Sequence, residues 1–184
     1  MQNKTYTVCV FCGSKSGNNI KYLKLANTLG KKLAEKNFNV IYGGGDSGLM
    51  GALAKGVLER NGSLISVIPN FFKKKIGITN FKKEVITKNL FDRKNIMIKK
   101  SDFFIALPGG FGTLDELFEV LTLIQTQKIK RDFPIVIFGE HFWNELINTD
   151  VLKEYGVISD NDLEHLFVTD SVTEAFNHIT ARLK

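Results

Sequence analysis

The chain contains little proline, little cysteine and no long apolar run, and each of these absences excludes a class of protein. Proline accounts for 3 of 184 residues, and no low-complexity linker or internal repeat divides the chain, so we predict a single domain over residues 1–184. No apolar run is long enough to cross a bilayer, and the polar residues 1–6 do not resemble a signal peptide. We therefore expect a cytoplasmic protein with no membrane partner.

The two cysteines, Cys9 and Cys12, have the spacing of redox and zinc motifs but not the surroundings of either. They lie in a β-rich run, where residues three positions apart point to opposite faces. A redox pair needs a turn and a helix start between its cysteines, and a zinc site needs a second pair of ligands. We predict two buried free thiols and no metal site.

The formal charge of +6 comes mostly from lysine. The basic clusters are Lys73–Lys75, Lys82–Lys83, Lys99–Lys100 and Lys128–Arg131. Nucleic-acid binding is one interpretation of this charge. Because no aromatic residues are interleaved with the clusters as in RNA-binding modules, we favour a solvated surface that attracts a phosphorylated metabolite. We expect no nucleic-acid partner.

Short β-rich runs alternate with helical patterns along the whole chain, which is typical of βαβ units. The strand candidates are Thr7–Phe11, Asn39–Tyr42, Leu64–Ile68, Glu84–Thr87, Phe103–Leu107, Ile135–Phe138 and Leu166–Thr169. The helix candidates are Tyr22–Glu35, Gly48–Arg60, Leu90–Lys99, Thr113–Gln125, Phe142–Glu154, Asn161–His165 and Val172–Leu183. This order predicts an α/β fold: a Rossmann-like, doubly wound, mainly parallel sheet of about six to seven strands with helices on both faces.

The glycine-rich segment Pro108–Thr113 joins a strand candidate to a helix candidate. Such a turn exposes backbone N–H groups beside a helix N-terminus, where a phosphate binds readily. We expect Thr113 to cap the helix, and Glu116 places a carboxylate about one turn into it. The segment therefore offers an anion site and a candidate catalytic group together.

Two further glycine-rich turns, residues 11–17 and 42–51, also follow strand candidates. Taken singly, their glycines are also explained by tight turns, but in a parallel sheet all three turns converge at one edge. The first lacks the G-x-G-x-x-G pattern of dinucleotide sites, and neither ends in the Gly-Lys-Ser/Thr of a P-loop. NAD and ATP chemistry are disfavoured, and we predict a pocket for a smaller phosphorylated ligand such as a mononucleotide.

Arg93 opens the helix candidate that precedes the strand of the main glycine turn. Its guanidinium is suited either to bidentate binding of a phosphate or carboxylate or to a solvated helix start. Glu119, three residues after Glu116, is expected to be a structural partner of Arg93 or of a neighbouring subunit. The segment Leu117–Ile124 is apolar on nearly every side, so we expect burial within the fold or at a subunit contact.

These motifs resemble those of the Lonely Guy (LOG) family from about Val8 to Trp143. Pro108–Glu116 matches the family's P-G-G-x-G-T-x-x-E motif, and Arg93-Lys94 stands where the family has an Arg-Lys pair. The segments Phe11–Ser14 and Gly43–Gly51 resemble its other two glycine-rich loops.

The resemblance implies a phosphoribohydrolase that releases the base from a purine nucleoside 5′-monophosphate, without a cofactor, in a homodimer or higher oligomer. It implies Arg93 and Glu116 as catalytic residues, with Arg93 contacting either the phosphate or the leaving base. The implied substrate-binding residues are Gly13, Ser14, Gly44, Gly45, Lys94, Gly109, Gly110, Gly112, Thr113 and Thr122. Relatives are often labelled lysine decarboxylases, but this chain has no motif for holding pyridoxal phosphate.

Two departures from the family bear on recognition of the base. Phe91 stands where the family commonly has histidine, and Lys73–Gly77 lacks the carboxylate expected there. We expect residues 70–89 to determine which base is accepted. The alternative functions are a non-catalytic carrier of a nucleotide or pterin cofactor on the same fold, and a nucleic-acid-binding module.

Overall fold

The computed structural model describes residues 5–75, 83–129 and 135–181. Seven strands form one sheet in the order β4-β3-β2-β1-β5-β6-β7, and every neighbouring pair is parallel. The strands are β1 Thr7–Phe11, β2 Asn39–Tyr42, β3 Ser63–Pro69, β4 Lys83–Thr87, β5 Phe103–Ala106, β6 Ile135–Phe138 and β7 Leu166–Thr169. The predicted doubly wound, Rossmann-like fold is confirmed, and the sheet is wholly parallel.

Eight α-helices lie within the described ranges, and a short 3-10 helix, Asn70–Lys75, follows β3. The helices are α1 Ile20–Glu35, α2 Gly48–Leu58, α3 Leu90–Lys99, α4 Phe111–Gln125, α5 Glu140–Leu146, α6 Thr149–Glu154, α7 Asp160–Leu163 and α8 Val172–Thr180. None of the described helices is long and apolar enough to cross a membrane.

Apolar side chains on the two faces of the sheet form two separate clusters. Helices α1, α2 and α8 cover one face, where Val8 and Val10 of β1 lie. Helices α3, α4 and α5 cover the other, where Cys9 and Phe11 lie. Because successive side chains of β1 point to opposite faces of the sheet, this strand contributes residues to both apolar clusters. The strand order reverses between β1 and β5, and ligands bind at the carboxyl ends of such a switch point in open α/β sheets.

The predicted burial of both cysteines is confirmed. Cys9 packs in one apolar cluster and Cys12, just beyond the end of β1, packs in the other. The two thiols are free and face opposite sides of the sheet, so they cannot act as a redox pair.

The single helix predicted over Phe142–Glu154 is wrong, because two helices occupy this segment. Ile147 has extended backbone angles of φ −128° and ψ 108° at the end of α5. The Asn148 side chain then accepts hydrogen bonds from the N–H groups of Asp150 and Val151, which caps a new helix start. A strong local cap has overridden a continuous helical pattern.

The predicted cap at Thr113 is also wrong. Helix α4 begins two residues earlier, at Phe111, with Gly110 as its N-cap. Thr113 lies inside the first turn and is buried. Its backbone N–H donates to the Gly110 carbonyl, so the backbone rather than a side chain closes the first turn.

Candidate active site

The turn between β5 and α4 presents a row of backbone N–H groups. Within the described ranges, no acceptor pairs with the N–H groups of residues 109–112. A Cβ placed on Gly110 or Gly112 would meet nothing within 4 Å, so both glycines border open space. These amides lie at the positive end of a 15-residue helix, and together they form an open cradle for an anion.

Gly13 joins the turn after β1 to the other two glycine-rich turns. Its N–H donates to the Pro108 carbonyl at 3.1 Å, and its own carbonyl accepts from Leu49 and Met50 at 3.0 and 3.2 Å. The predicted convergence of the three turns is therefore observed. These contacts occupy the backbone N–H groups of Gly13 and of the first residues of α2. The N–H groups at the start of α4 therefore remain as the open position for an anion.

Ser14 and Gly44 also shape the walls of the site. The Ser14 carbonyl accepts from the Ser47 hydroxyl at 3.1 Å, while the Ser14 side chain faces solvent. Gly44 has a φ of +82°, and a Cβ there would overlap the Ile68 side chain. The next residue, Gly45, packs against the flexible Met50 side chain.

The structure brings the two predicted catalytic residues into direct contact. Arg93 Nη1 lies 2.7 Å from Glu116 Oε1, and their side chains are 14% and 6% exposed. Arg93 Nε donates to the Val67 carbonyl at 3.2 Å, which fixes the other side of the guanidinium. Helix α3 supplies the arginine and α4 the carboxylate, so the pair spans two helices on the same face of the sheet.

Burial raises the pKa of the Glu116 carboxyl above its ordinary value of 4.5. The positive charge of Arg93 opposes this shift and the negative charge of Asp115 adds to it. Glu116 Oε1 lies against Arg93 Nη1 as an ion pair. A buried carboxylate with a raised pKa is suited to taking a proton from a bound water.

Lys94, predicted to bind substrate, lies beside two carboxylates. Its Nζ is 2.8 Å from Asp115 Oδ1 and 2.6 Å from Glu119 Oε2. Glu119 is thus a partner of Lys94 rather than of Arg93, and its expected contact with a neighbouring subunit stays a prediction. Sequence reasoning missed this network, although the four-residue spacing of the two carboxylates along α4 was a readable signal.

Thr113 and Thr122 occupy very different positions. Thr113 is buried, and its hydroxyl approaches Gly109 so closely that a Cβ on that glycine would overlap it. Thr122 lies six residues beyond Glu116, about 9 Å along the helix axis. Its hydroxyl donates to the Phe118 carbonyl at 2.8 Å and faces a separate apolar cavity. Within one chain Thr122 does not join the site.

Exposed phenyl rings follow the carboxyl ends of the neighbouring parallel strands β3 and β4. Phe91, in the first turn of α3, is 68% exposed. Phe71 and Phe72 follow the carboxyl end of β3, with ring centroids 4.6 Å apart. Phe71 and Phe72 belong to residues 70–89, the segment expected to determine which base is accepted, although the sequence did not single out these two rings. The expectation of a missing carboxylate in Lys73–Gly77 falls partly on residues 76–82, which lie outside the described residues.

Known proteins with similar sequences share one family. A family model described as "Possible lysine decarboxylase" matches residues 50–179. The cytokinin riboside 5′-monophosphate phosphoribohydrolase LOG1 of Arabidopsis thaliana is 37% identical over 172 residues, covering 92% of this chain and 79% of that protein. LOG5 of the same plant is 36% identical over 165 residues, covering 88% and 71%.

Solved structures with lower sequence identity share the fold. The molybdenum cofactor carrier protein of Chlamydomonas reinhardtii superposes with a TM-score of 0.72 at 23% identity, covering 98% of this chain and 99% of that one. The molybdenum cofactor binding protein of Rippkaea orientalis gives 0.72 at 19% identity, with the same coverage. The sequence relatives and the matched family model, taken with the glycine turns and the Arg93–Glu116 pair, show that the chain belongs to the LOG family.

Proposed function

We propose that the chain is a phosphoribohydrolase, which hydrolyses the N-glycosidic bond of a purine nucleoside 5′-monophosphate to free base and ribose 5-phosphate. The observation that carries this proposal is the buried Arg93–Glu116 pair beside an open cradle of backbone amides. Glu116 lies four residues beyond Gly112, about one helical turn from the cradle. That separation suits a ribose 5′-phosphate, whose phosphate would lie in the cradle while the anomeric carbon, at the other end of the sugar, would lie beside Glu116.

The cradle is proposed to hold the 5′-phosphate. Gly109, Gly110 and Gly112 would donate their N–H groups at the helix N-terminus. The phosphate is remote from the bond that breaks, so its binding energy orients the ribose against Glu116. A nucleoside without the phosphate should therefore lose turnover as well as affinity.

Glu116 is proposed to act at the anomeric carbon. As the bond from C1′ to the base nitrogen breaks, its electron pair leaves with the base and C1′ gains oxocarbenium character. The Glu116 carboxylate would stabilise that positive charge and take a proton from the water that adds to C1′. Arg93 keeps the carboxylate in place through Nη1, and we propose that its remaining N–H groups contact the phosphate or the leaving base.

The exposed rings of Phe71, Phe72 and Phe91 are proposed to contact the base. Base–aromatic stacking contributes about 1–3 kcal/mol per base and tolerates different bases. Cytokinin riboside monophosphates and AMP are therefore both proposed substrates. We propose that these three rings determine which purine is preferred.

The direct test is to incubate the purified chain with a panel of nucleoside monophosphates and detect free base by chromatography. We expect base release from AMP or an N6-substituted analogue, and much slower release from adenosine. Glu116→Gln should lower kcat by about 100-fold or more, since it removes the general base. Glu59→Gln, which removes an exposed carboxylate paired with Lys31, is the matched control. Equal turnover of adenosine and AMP would contradict the proposal.

A non-catalytic carrier of a nucleotide or pterin cofactor is the second candidate, because a molybdenum cofactor carrier protein and a molybdenum cofactor binding protein share the fold. A carrier has no need of a buried carboxylate in its anion site. Binding of a nucleotide with no base release by any member of the panel would favour the carrier.

We also propose that the chain forms a homodimer or a higher homo-oligomer. On α4, Phe118 is 41% exposed, and Thr122 on the same helix is also exposed. Both border an apolar cavity of about 360 Å³ between α4, the sheet edge at β6 and β7, and the helices α5 to α7. A second chain would cover this surface. Light scattering at micromolar concentration that gives a mass of 20.7 kDa, the monomer, would contradict it.

A further inference from the structure

Two consecutive residues of α3 pair with three residues of α4. Arg93 contacts Glu116, while Lys94 contacts Asp115 and Glu119, which precede and follow Glu116 on the same helix. The ammonium of Lys94 therefore spans the helix segment that carries the proposed base. Two cations face three carboxylates, so this cluster has an excess of one negative charge.

This arrangement leaves Lys94 poorly suited to binding a phosphate. Its side chain is 14% exposed, and two carboxylates within 2.8 Å occupy two of its three donors and balance its charge. The open amides of residues 109–112 provide an anion position that needs no lysine. A cation already paired twice adds little attraction for a third anion.

We propose that Lys94 is a positioning residue, which ties α3 to α4 through Asp115 and Glu119 and so holds Glu116 against Arg93, rather than a ligand of the substrate. This inference rests on the proposed function for the identity of the reaction. It assigns Asp115 and Glu119 a role as anchors for Lys94.

The same contacts set the charge around Glu116. The groups that face this carboxyl are Arg93 and Lys94 from α3, Asp115 from α4, and the thiols of Cys9 and Cys12 from the β1 side. Burial holds the pKa of both thiols well above its ordinary value, so they stay neutral. Lys94 lowers the pKa of Glu116 and Asp115 raises it. Removing the lysine charge leaves the negative charge of Asp115 acting on Glu116 without this opposing cation.

The test compares Lys94→Met with Lys94→Arg, using the nucleoside monophosphate that the wild-type chain hydrolyses. Loss of positioning should lower kcat about tenfold or more with KM changed less than about threefold, since it affects the transition state more than ground-state binding. The acidic limb of the kcat profile should move to higher pH, because Glu116 must be ionised to act as a base. Lys94→Arg should recover most of kcat, and Asp115→Asn should move the limb to lower pH.

Lys153→Met is the matched control. Lys153 also pairs with two carboxylates, Asp150 at 3.1 Å and Asp160 at 3.4 Å, but on helices α6 and α7. Its loss should leave the pH profile unchanged. A large rise in KM for Lys94→Met with unchanged kcat and an unchanged acidic limb would overturn the inference and make Lys94 a substrate ligand. Thermal unfolding identifies a variant that fails to fold, and Lys94→Arg then provides the comparison.

A direct binding measurement separates this inference from the proposed function. If the wild-type chain releases no base, the proposed function fails, and calorimetry with AMP still tests the role of Lys94. A positioning residue predicts an AMP Kd within about threefold of wild type in Lys94→Met, since its charge is already balanced. A loss of affinity of about tenfold or more would overturn the inference, since a charge-assisted contact contributes about that much.

Discussion

Gly43 lies directly beneath the guanidinium of Arg93, and a Cβ on Gly43 would overlap Arg93 Nη2. The turn after β2 therefore contacts one side of the guanidinium. Glu116 pairs with Arg93 Nη1, and the Val67 carbonyl accepts a hydrogen bond from Nε. The glycine is required here by the close approach of a side chain that the site uses.

The Gly43→Ala variant should displace Arg93 without unfolding the chain. We expect kcat to fall by about tenfold to 100-fold, because a shift of about 1 Å in a positioned group is costly to catalysis. The change in Tm should be small, since the displaced atoms belong to the end of a long side chain. Glu59→Gln, which removes an exposed carboxylate paired with Lys31 and not placed in the site, is the control. Equal activities of the two variants would show that Gly43 does not set the position of Arg93.

The buried Glu116 carboxyl should make stability depend on pH. Because its pKa in the folded chain is raised above 4.5, the folded state holds this proton more tightly than the unfolded state. Its contribution to the free energy of unfolding is therefore full below about 4.5 and falls by about 1.4 kcal/mol per pH unit up to the raised pKa. Glu116→Gln cannot ionise and should lack this decline.

Urea unfolding of both proteins between pH 4 and pH 8 measures the difference. Glu59→Gln is the control, because the effect of pH on stability through Glu59 has the opposite direction. Lys31 lowers the pKa of Glu59, so this carboxylate adds to the free energy of unfolding as the pH rises. Parallel curves for wild type and Glu116→Gln would contradict the raised pKa.

The two adjacent glycines of the cradle should respond differently to alanine. A Cβ on Gly110 meets nothing, so Gly110→Ala should keep its Tm while its methyl group intrudes on the anion space and raises KM about tenfold or more. A Cβ on Gly109 would overlap the Thr113 hydroxyl and lie 3.0 Å from the Gly13 nitrogen. Gly109→Ala should therefore lose about 1–3 kcal/mol of stability through overpacking. Unchanged binding of AMP by Gly110→Ala would place the phosphate elsewhere.

The two thiols should be inert in the folded chain. Burial raises the pKa of both Cys9 and Cys12, so almost no reactive thiolate forms near neutral pH. A thiol reagent at pH 7.5 should modify neither cysteine until a denaturant is added, and then both. Rapid modification of one thiol in the native protein, followed by mass spectrometry, would show that its side chain is accessible.

Much of the site could be predicted because its signals are local. Residue type and position along the chain were enough to predict an anion site at the glycine turn and functional roles for Arg93 and Glu116. The parallel order of the strands explained why separate turns meet at one edge of the sheet. The partner of Glu119 could not be predicted. Its contact with Lys94 depends on how α3 and α4 pack side by side, and hydrophobic periodicity does not report which charged faces become neighbours.

The sequence by itself determined the alternation of strands and helices, the burial of the cysteines and the anion-binding character of the turn before α4. These follow from side-chain period and backbone chemistry within a few residues. Only the tertiary structure decided that Gly13 ties the three turns together, that Lys94 is enclosed by Asp115 and Glu119, and that Thr122 lies away from the site of its own chain. Such contacts join residues distant in sequence or place them along a helix axis, and they are settled by the packing of whole elements.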